Sequence, residues 1–374
     1  MDTVMSGSKR IDGIDFWRGI VLAMIFINHV PGNGFEIMTH RHVGFSDSAE
    51  AFVFLAGVSV ALAYGGRFLG SQLWRGIRAI MSRAVTLYGV QIAMSFTAIA
   101  IFAIGALVFD DDTIMHEHGR DLFLSNPMRA VVAVTGLSHQ LGYFNILPMY
   151  IVFLLWAPVL LLLARFDDRL MLGLSALIYL FAREYGWNFP TWPVEGGWFF
   201  NPFTWQFLFA AGVFIGLRLR AGGDIGFDRR IFTASVVILV ASAFVVTKAF
   251  GFLPLLPEQL NSVVDMSKTN LAPIRMIHFL ALAYVLYHSG LTLMAKSGSL
   301  FAPLCVIGRQ SLPVFAAGSI LSAIGQIVIG MRNTGFIDDL LFIGGGLLLL
   351  YAIALYLSDR RDVATGEPPK AKMA

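Results

Sequence analysis

Long apolar runs broken by short polar connections fill the chain, and each is long enough, the first and sixth marginally, for a helix to cross a hydrocarbon layer of about 30 Å. Ten can be read: residues 14–31, 47–65, 84–109, 147–164, 170–185, 202–217, 231–253 and 273–295, then a ninth that follows the inner connection GRQS (308–311) and ends near 331, and a tenth over 336–357. Pro31 and Gly32 stop the first run, Gly65, Gly66 and Arg67 the second, and SDRRD the tenth. A basic connection with Arg67, Arg75, Arg78 and Arg83 follows the second run, and an acidic one, DDDTIMHEHGRD, follows the third. From Arg129 to Asn145 the chain is too polar to lie freely in lipid, so an interfacial or re-entrant piece is expected there, with His139 and Tyr143 turned inward.

Composition fixes the class. With 57% hydrophobic residues, 14% charged and a mean hydropathy of +0.71, the chain cannot be an ordinary soluble globule, in which about a quarter of residues are charged. The expectation is an all-α, polytopic integral membrane protein with about ten transmembrane helices. One transmembrane domain covers 1–360, with a polar start over 1–10, and a disordered cytoplasmic tail follows over 361–374. A charge of +3 and a pI near 9.0 do not point to nucleic acid, because the basic residues sit in short connections between helices. Nineteen of the 27 Lys and Arg residues fall on the side of the termini, which places both termini in the cytoplasm. Cys305 is alone, so neither a disulfide framework nor a thiolate cluster is available. The first run lacks a small-residue cleavage site after it and is expected to be a retained helix. No internal repeat is visible.

Candidate chemistry concentrates between Arg10 and Gly66. His29, with Asn28 beside it, stands at the far end of the first span, where an ionisable group is costly unless it has a task. Arg18 precedes it by eleven residues, on the same helix face and about 16 Å away, so a long donor could keep its charged head at Arg18 while its reactive end reached His29. Arg18 also fits an i,i+3 pair with Asp15. Asp47 and Glu50 open the next helix with capping-box spacing, and either carboxylate could equally hold an imidazole in one tautomer. Arg75 and Arg78 form an RxxR near Arg83, and guanidinium forks suit phosphate oxygens, although ordinary inner-side charges would look the same. Trp187, Trp192, Trp198 and Trp205 gather on or beside the loop 186–201, as an interface belt or as rings for stacking on sugar. His116, Glu117 and His118 have no further ligand nearby in sequence, so no metal site is expected. No phosphate loop, dinucleotide fingerprint or nucleophile elbow is present.

The segments RIDGIDFWRGI, INHVPGN and GFSDSAEAFVFLAG, followed by FNILPMYIVFLLWAP, FNPFTWQFLFAAG, KTNLAPIRMIHFLALAY and GRQSLPVF, resemble the OpgC family of osmoregulated periplasmic glucan succinyltransferases, relatives of the acyltransferase-3 membrane enzymes. The resemblance covers nearly the whole span region. It implies a ten-helix acyltransferase of the bacterial inner membrane that takes an acyl group from cytoplasmic acyl-CoA and places it on a periplasmic glucan hydroxyl. His29 matches the histidine that acyltransferase-3 relatives use at the end of their first helix, and Arg75 and Arg78 match their RxxR. Lysosomal heparan acetyltransferases, more distant relatives, place a histidine eleven residues beyond a first polar residue, and His40 stands eleven beyond His29.

The combined expectation is an O-succinyltransferase in which His29 is the general base, Glu50 or Asp47 orients it, and Asn28 or a backbone N–H stabilises the oxyanion. An acyl-histidine relay is the other chemical route. Succinyl-CoA is the donor substrate and no resident cofactor is expected; Arg18, Arg75, Arg78 and Arg83 would hold its phosphates. The succinyl carboxylate needs a cation. Arg275 is the first candidate, with a structural pair to Glu258, Asp265 or Glu50 as its other reading, and Lys268 and Arg41 follow. His40, His139, Trp198 and Trp205 would meet the glucan. Acyl-CoA, periplasmic glucan and membrane lipid are the expected partners, nucleic acid is not, and a homodimer is left open. The competing readings are a glycan or lipid transporter without transfer chemistry and an O-acetyltransferase acting on another glycan.

Overall fold

The computed structural model describes residues 12–247, 265–291, 301–330 and 335–365. The polar start, residues 254–264 of the outer connection read over 254–272, with Glu258 among them, and residues 366–374 of the tail lie outside the described residues. Helices dominate: α1 (Asp12–Asn28), α2 (Ser48–Leu69), α3 (Leu73–Phe109), α4 (Leu122–Ser125), α5 (Pro127–Thr135), α6 (Ile146–Phe166), α7 (Asp168–Glu184), α8 (Pro202–Arg220), α9 (Arg229–Thr247), α10 (Pro273–His288), α11 (Ala302–Arg309), α12 (Ser311–Val328), α13 (Phe336–Asp339) and, after a π turn over Leu340–Gly344, α14 (Gly345–Thr365). Among the described residues there is no strand, only an isolated antiparallel bridge between Pro190 and Gly197.

The chain is an all-α polytopic membrane protein, and seven described helices are long and apolar enough to span a membrane. The three other spans read from the sequence fall on α1, α7 and α10, of 17, 17 and 16 residues. Three local readings need correction. The basic connection expected over 67–83 is mostly helix: α2 runs on to Leu69 and α3 starts at Leu73. Gly76, Ile80, Ala84, Leu87 and Gln91 form a buried stripe at helical spacing through this region, so packing carries the helix on while Arg75 and Arg78 occupy the exposed side. The connection GRQS is also mainly helix ends, with Gly308 and Arg309 closing α11. Residues 361–365 continue α14 and do not begin a tail.

Two close helix contacts hold the region around α1 and α2. A Cβ on Gly57 of α2 would lie 2.1 Å from the Phe209 carbonyl oxygen of α8, and one on Gly212 would lie 2.2 Å from that of Phe54. Gly212 and Gly216 are four apart on α8, the small-xxx-small spacing that lets membrane helices approach backbone to backbone. Similarly, α11 lies against α1 where Gly308 meets the Asp15 carbonyl and Gly19 meets that of Leu304. These contacts leave the opposite stripe of α2 free to line internal space.

Candidate active site

Helix α1 delivers His29 one residue past its end. Asn33 locks the exit by donating through Nδ2 to the carbonyls of Ile27 (2.9 Å) and Val30 (2.5 Å), and Gly34 N–H donates to Asp339 Oδ2 at 2.8 Å. Gln326 of α12 donates to the His29 carbonyl at 3.2 Å. The imidazole is half-buried, its Nδ1 is buried without a hydrogen-bond partner, and its ring meets the Tyr143 ring edge-on at 5.1 Å. Tyr143 in turn touches His118 at 5.1 Å and is held at φ +69°, a left-handed conformation that bulky side chains seldom adopt. Burial pushes the Tyr143 phenol up from its ordinary value, against the pull of the Arg41 guanidinium. Asn28 accepts from Thr39 Oγ1 at 2.9 Å, and its own Nδ2 is buried without a partner. A free amide donor and a ring nitrogen with no partner thus lie on adjacent residues.

The loop that follows brings in the carboxylates. Asp47 caps α2 by accepting from Ala49 N–H at 2.8 Å, and Glu50 reaches back to the Asp47 N–H at 2.8 Å, completing the capping box. The same acids take two cations from a turn more than 200 residues away. Arg275 of α10 binds Glu50 Oε1 through Nε (2.8 Å) and Nη2 (2.7 Å), and its Nη2 lies 3.3 Å from Asp47 Oδ2. Lys268 Nζ binds Asp47 Oδ2 at 2.5 Å. Glu50 is fully buried, so the pairing is what makes its charge tolerable there.

The turn that carries Lys268 and leads into α10 is itself clamped. Trp205 Nε1 donates to the carbonyls of Lys268 (3.0 Å) and Thr269 (3.2 Å), Tyr179 to that of Leu271 (2.8 Å), and Arg183 to that of Asn270 (2.9 Å). One turn along α10 from Arg275, His278 Nδ1 lies 2.8 Å from Ser46 Oγ, and a Cβ on Gly44 would lie 2.3 Å from the His278 ring. His40 is 3.3 Å from Met24 Sδ through Nδ1, and burial pushes its imidazole down against the opposing pull of Asp47.

Toward the Arg-rich end, α1, α2, α3, α6 and α12 line a partly open cavity of about 70 Å³ with Arg18, Arg83, Phe52, Tyr150 and Ser311 among its walls. Arg18 reaches Ser59 of α2 and lies 3.4 Å from Asp15.

Against the sequence expectations, the structure brings together His29 and Asn28, joins Asp47, Glu50, Lys268 and Arg275, and places Arg18 and Arg83 on one cavity. Glu50 and Asp47 spend their described hydrogen bonds on the cap and on the two cations, not on the imidazole. Arg75 and Arg78 are exposed on the outer face of α3, away from the cavity lining. Trp205 is fully buried and Trp198 only 6% exposed, packed on Phe200 and Phe189 respectively, so neither offers a ring face to a sugar; both are corrected to structural braces. His139 is turned inward and bonds the Gly119 carbonyl at 2.7 Å. Arg41 is exposed and has no hydrogen bond or ion pair among the described residues. Sequence reading left out His278 and Gln326. The signals were present as polar residues at helical spacing in apolar spans, His278 three beyond Arg275 and Gln326 after Ser319 and Ser322.

The OpgC protein family matches residues 10–362. No curated protein and no solved structure matches the chain.

Proposed function

The chain belongs to the OpgC family, and from that premise we propose that it is a membrane O-acyltransferase that moves a succinyl group from cytoplasmic succinyl-CoA to a glucose hydroxyl of a periplasmic glucan. Membership supports an OpgC-type role in glucan modification; the donor, the base and the orientation are the finer parts of the proposal. The observation that carries them is the layout of α1, with His29 and Asn28 at one end and Arg18 on a cavity nearer the other.

In this reading His29 removes the proton of the glucan hydroxyl as its oxygen attacks the thioester carbon. The tetrahedral oxyanion takes the free Asn28 amide. Collapse breaks the C–S bond, and the proton leaves with the coenzyme A thiolate. Asp47, Glu50, Arg275 and Lys268 fix the loop that frames His29 and touch none of the reacting atoms. Arg275 and Lys268 are neutralised by their acids, which leaves Arg41 as the cation for the succinyl carboxylate. Both termini lie in the cytoplasm and the glucan is reached from the periplasmic face of the inner membrane.

The test is purified protein in detergent given succinyl-CoA and a glucan, with free thiol and glucan mass followed together. Thiol release matched by succinylated glucan is expected. A folded protein that binds glucan but releases no thiol would make it a transporter.

A further inference from the structure

A second, open cavity of about 480 Å³, polar in its lining, lies where α2 ends, bounded by Leu62, Gly66, Arg67, Ser71, Gln72 and Arg220 among others. No acidic residue lines it. Arg220, from the last turn of α8, donates through Nη1 to the Leu62 carbonyl at 2.7 Å, and its guanidinium lies so close over Gly66 that a Cβ there would be 2.0 Å from Nη2. The absent side chain at Gly66 is therefore what seats this cation against α2. Arg67 lies over the Tyr64 ring at 5.8 Å and, like Arg220, has no carboxylate partner among the described residues. Arg220 is exposed, so water screens the repulsion between the two guanidiniums, but with no acid among the described lining residues an anion that joins them is favoured.

The two cavities share no lining residue, yet both lie along one side of α2. Phe52, Leu55, Ala56, Ser59, Leu62, Ala63 and Gly66 fall within one stripe of α2, on the side opposite the glycine contact with α8, and Gly70 follows just past its end. Its upper part lines the cavity with Arg18 and Arg83, Ser59 holds Arg18, and its lower part lines the polar cavity. From Ala56 to Gly66 is about 15 Å along the helix, and from Glu50 to Gly66 about 24 Å. A ligand with phosphates at one end and a long, less polar arm fits that sequence of surfaces, and guanidinium forks are suited to phosphate oxygens.

We propose that the cavity formed by Arg67, Arg220, Ser71 and Gln72 binds the phosphate groups at the nucleotide end of the acyl-CoA donor, whose arm runs up the α2 stripe past Arg18. This rests on the transferase reading for the donor's identity, but the site is tested by binding alone. Coenzyme A and 3′-dephospho-coenzyme A are titrated into the full-length protein in detergent, with Arg67→Gln, Arg220→Gln and the remote exposed Arg165→Gln compared in parallel. Thermal unfolding checks that each is folded. Each of the first two should weaken coenzyme A binding about tenfold and flatten its salt dependence, and Arg165→Gln should not. The KM for succinyl-CoA should rise by the same factor while turnover at saturating donor stays within about twofold. Unchanged affinity in folded Arg67→Gln and Arg220→Gln proteins would overturn the site. So would intact coenzyme A binding combined with lost retention of phosphatidylglycerol from nanodiscs, which would make it a lipid headgroup site. Binding through these arginines without thiol release would uphold the site and sink the transferase reading.

Discussion

Removing Glu50 tests whether the cluster of four charges is what holds the loop beside His29. Glu50 is fully buried and accepts from Arg275 Nε and Nη2 and from the Asp47 N–H. In Glu50→Leu the Arg275 side chain, 13% exposed, keeps only the longer 3.3 Å contact to Asp47, and the Asp47 N–H loses its acceptor. Breaking a buried pair from one side costs about 3 to 5 kcal/mol. The remaining carboxylate argues for about 3. Arg275→Met should cost a similar amount, because Glu50 is then left buried with a backbone donor alone. In the double variant neither charge is stranded, and the loss should shrink to the weakened cap, about 1 kcal/mol. Equilibrium unfolding by SDS in mixed micelles, read by tryptophan fluorescence, gives the four stabilities. If the double variant loses the sum of the single losses to within about 0.5 kcal/mol, the pair does not exist as described. Activity is expected to return with stability in the double variant; a stable but inactive one would assign Glu50 to the chemistry itself.

Three shorter tests follow. In a Cys305→Ser background, cysteines at positions 116 and 75 should label from opposite faces of the membrane, and labelling from one face would overturn the assigned orientation. His29→Ala should fold and lose about 10² to 10⁴ in rate, the usual contribution of a general base; normal activity would move that role to His40 or His42. Arg41→Gln should depress succinyl transfer more than acetyl transfer, since only a succinyl donor loses a charge-assisted contact, with Arg41→Lys partly restoring the ratio. Equal loss of both rates would leave succinyl selection to another group.

How far the sequence could be read follows from how local each signal is. Apolar runs and the capping box are set within a few residues, so the helices and the Asp47–Glu50 cap were legible. The boundaries erred where tertiary packing, not local polarity, decides them. Arginines in the 67–83 segment look like a connection, yet the buried stripe from Gly76 to Gln91 keeps α3 helical beneath them. Trp205 looked like a ring for a sugar because its neighbours in sequence form an outer loop, whereas its indole is spent on the backbone of residues 268 and 269.

Arg275 shows what a choice between two readings changes. A guanidinium just inside an apolar span must have an anion, and sequence offers two kinds, a substrate or a distant acid. Of the three acids the sequence offers as partners, the one bonded is Glu50, 225 positions away, and no periodicity could have chosen it over Asp265 or Glu258. Once Glu50 and Asp47 are taken by Arg275 and Lys268, the cluster is neutral and closed, so it cannot also bind a succinyl carboxylate without ejecting an acid from a buried site. Under the proposed succinyl transfer, recognition of that carboxylate would fall to Arg41, which stands in a short 3-10 turn and not on a span. In the proposed reading donor selection and loop closure become one property: Lys268 and Arg275 keep the loop in place, and the same loop carries Arg41. A substitution that loosens the cluster should for that reason erode succinyl preference before it abolishes transfer.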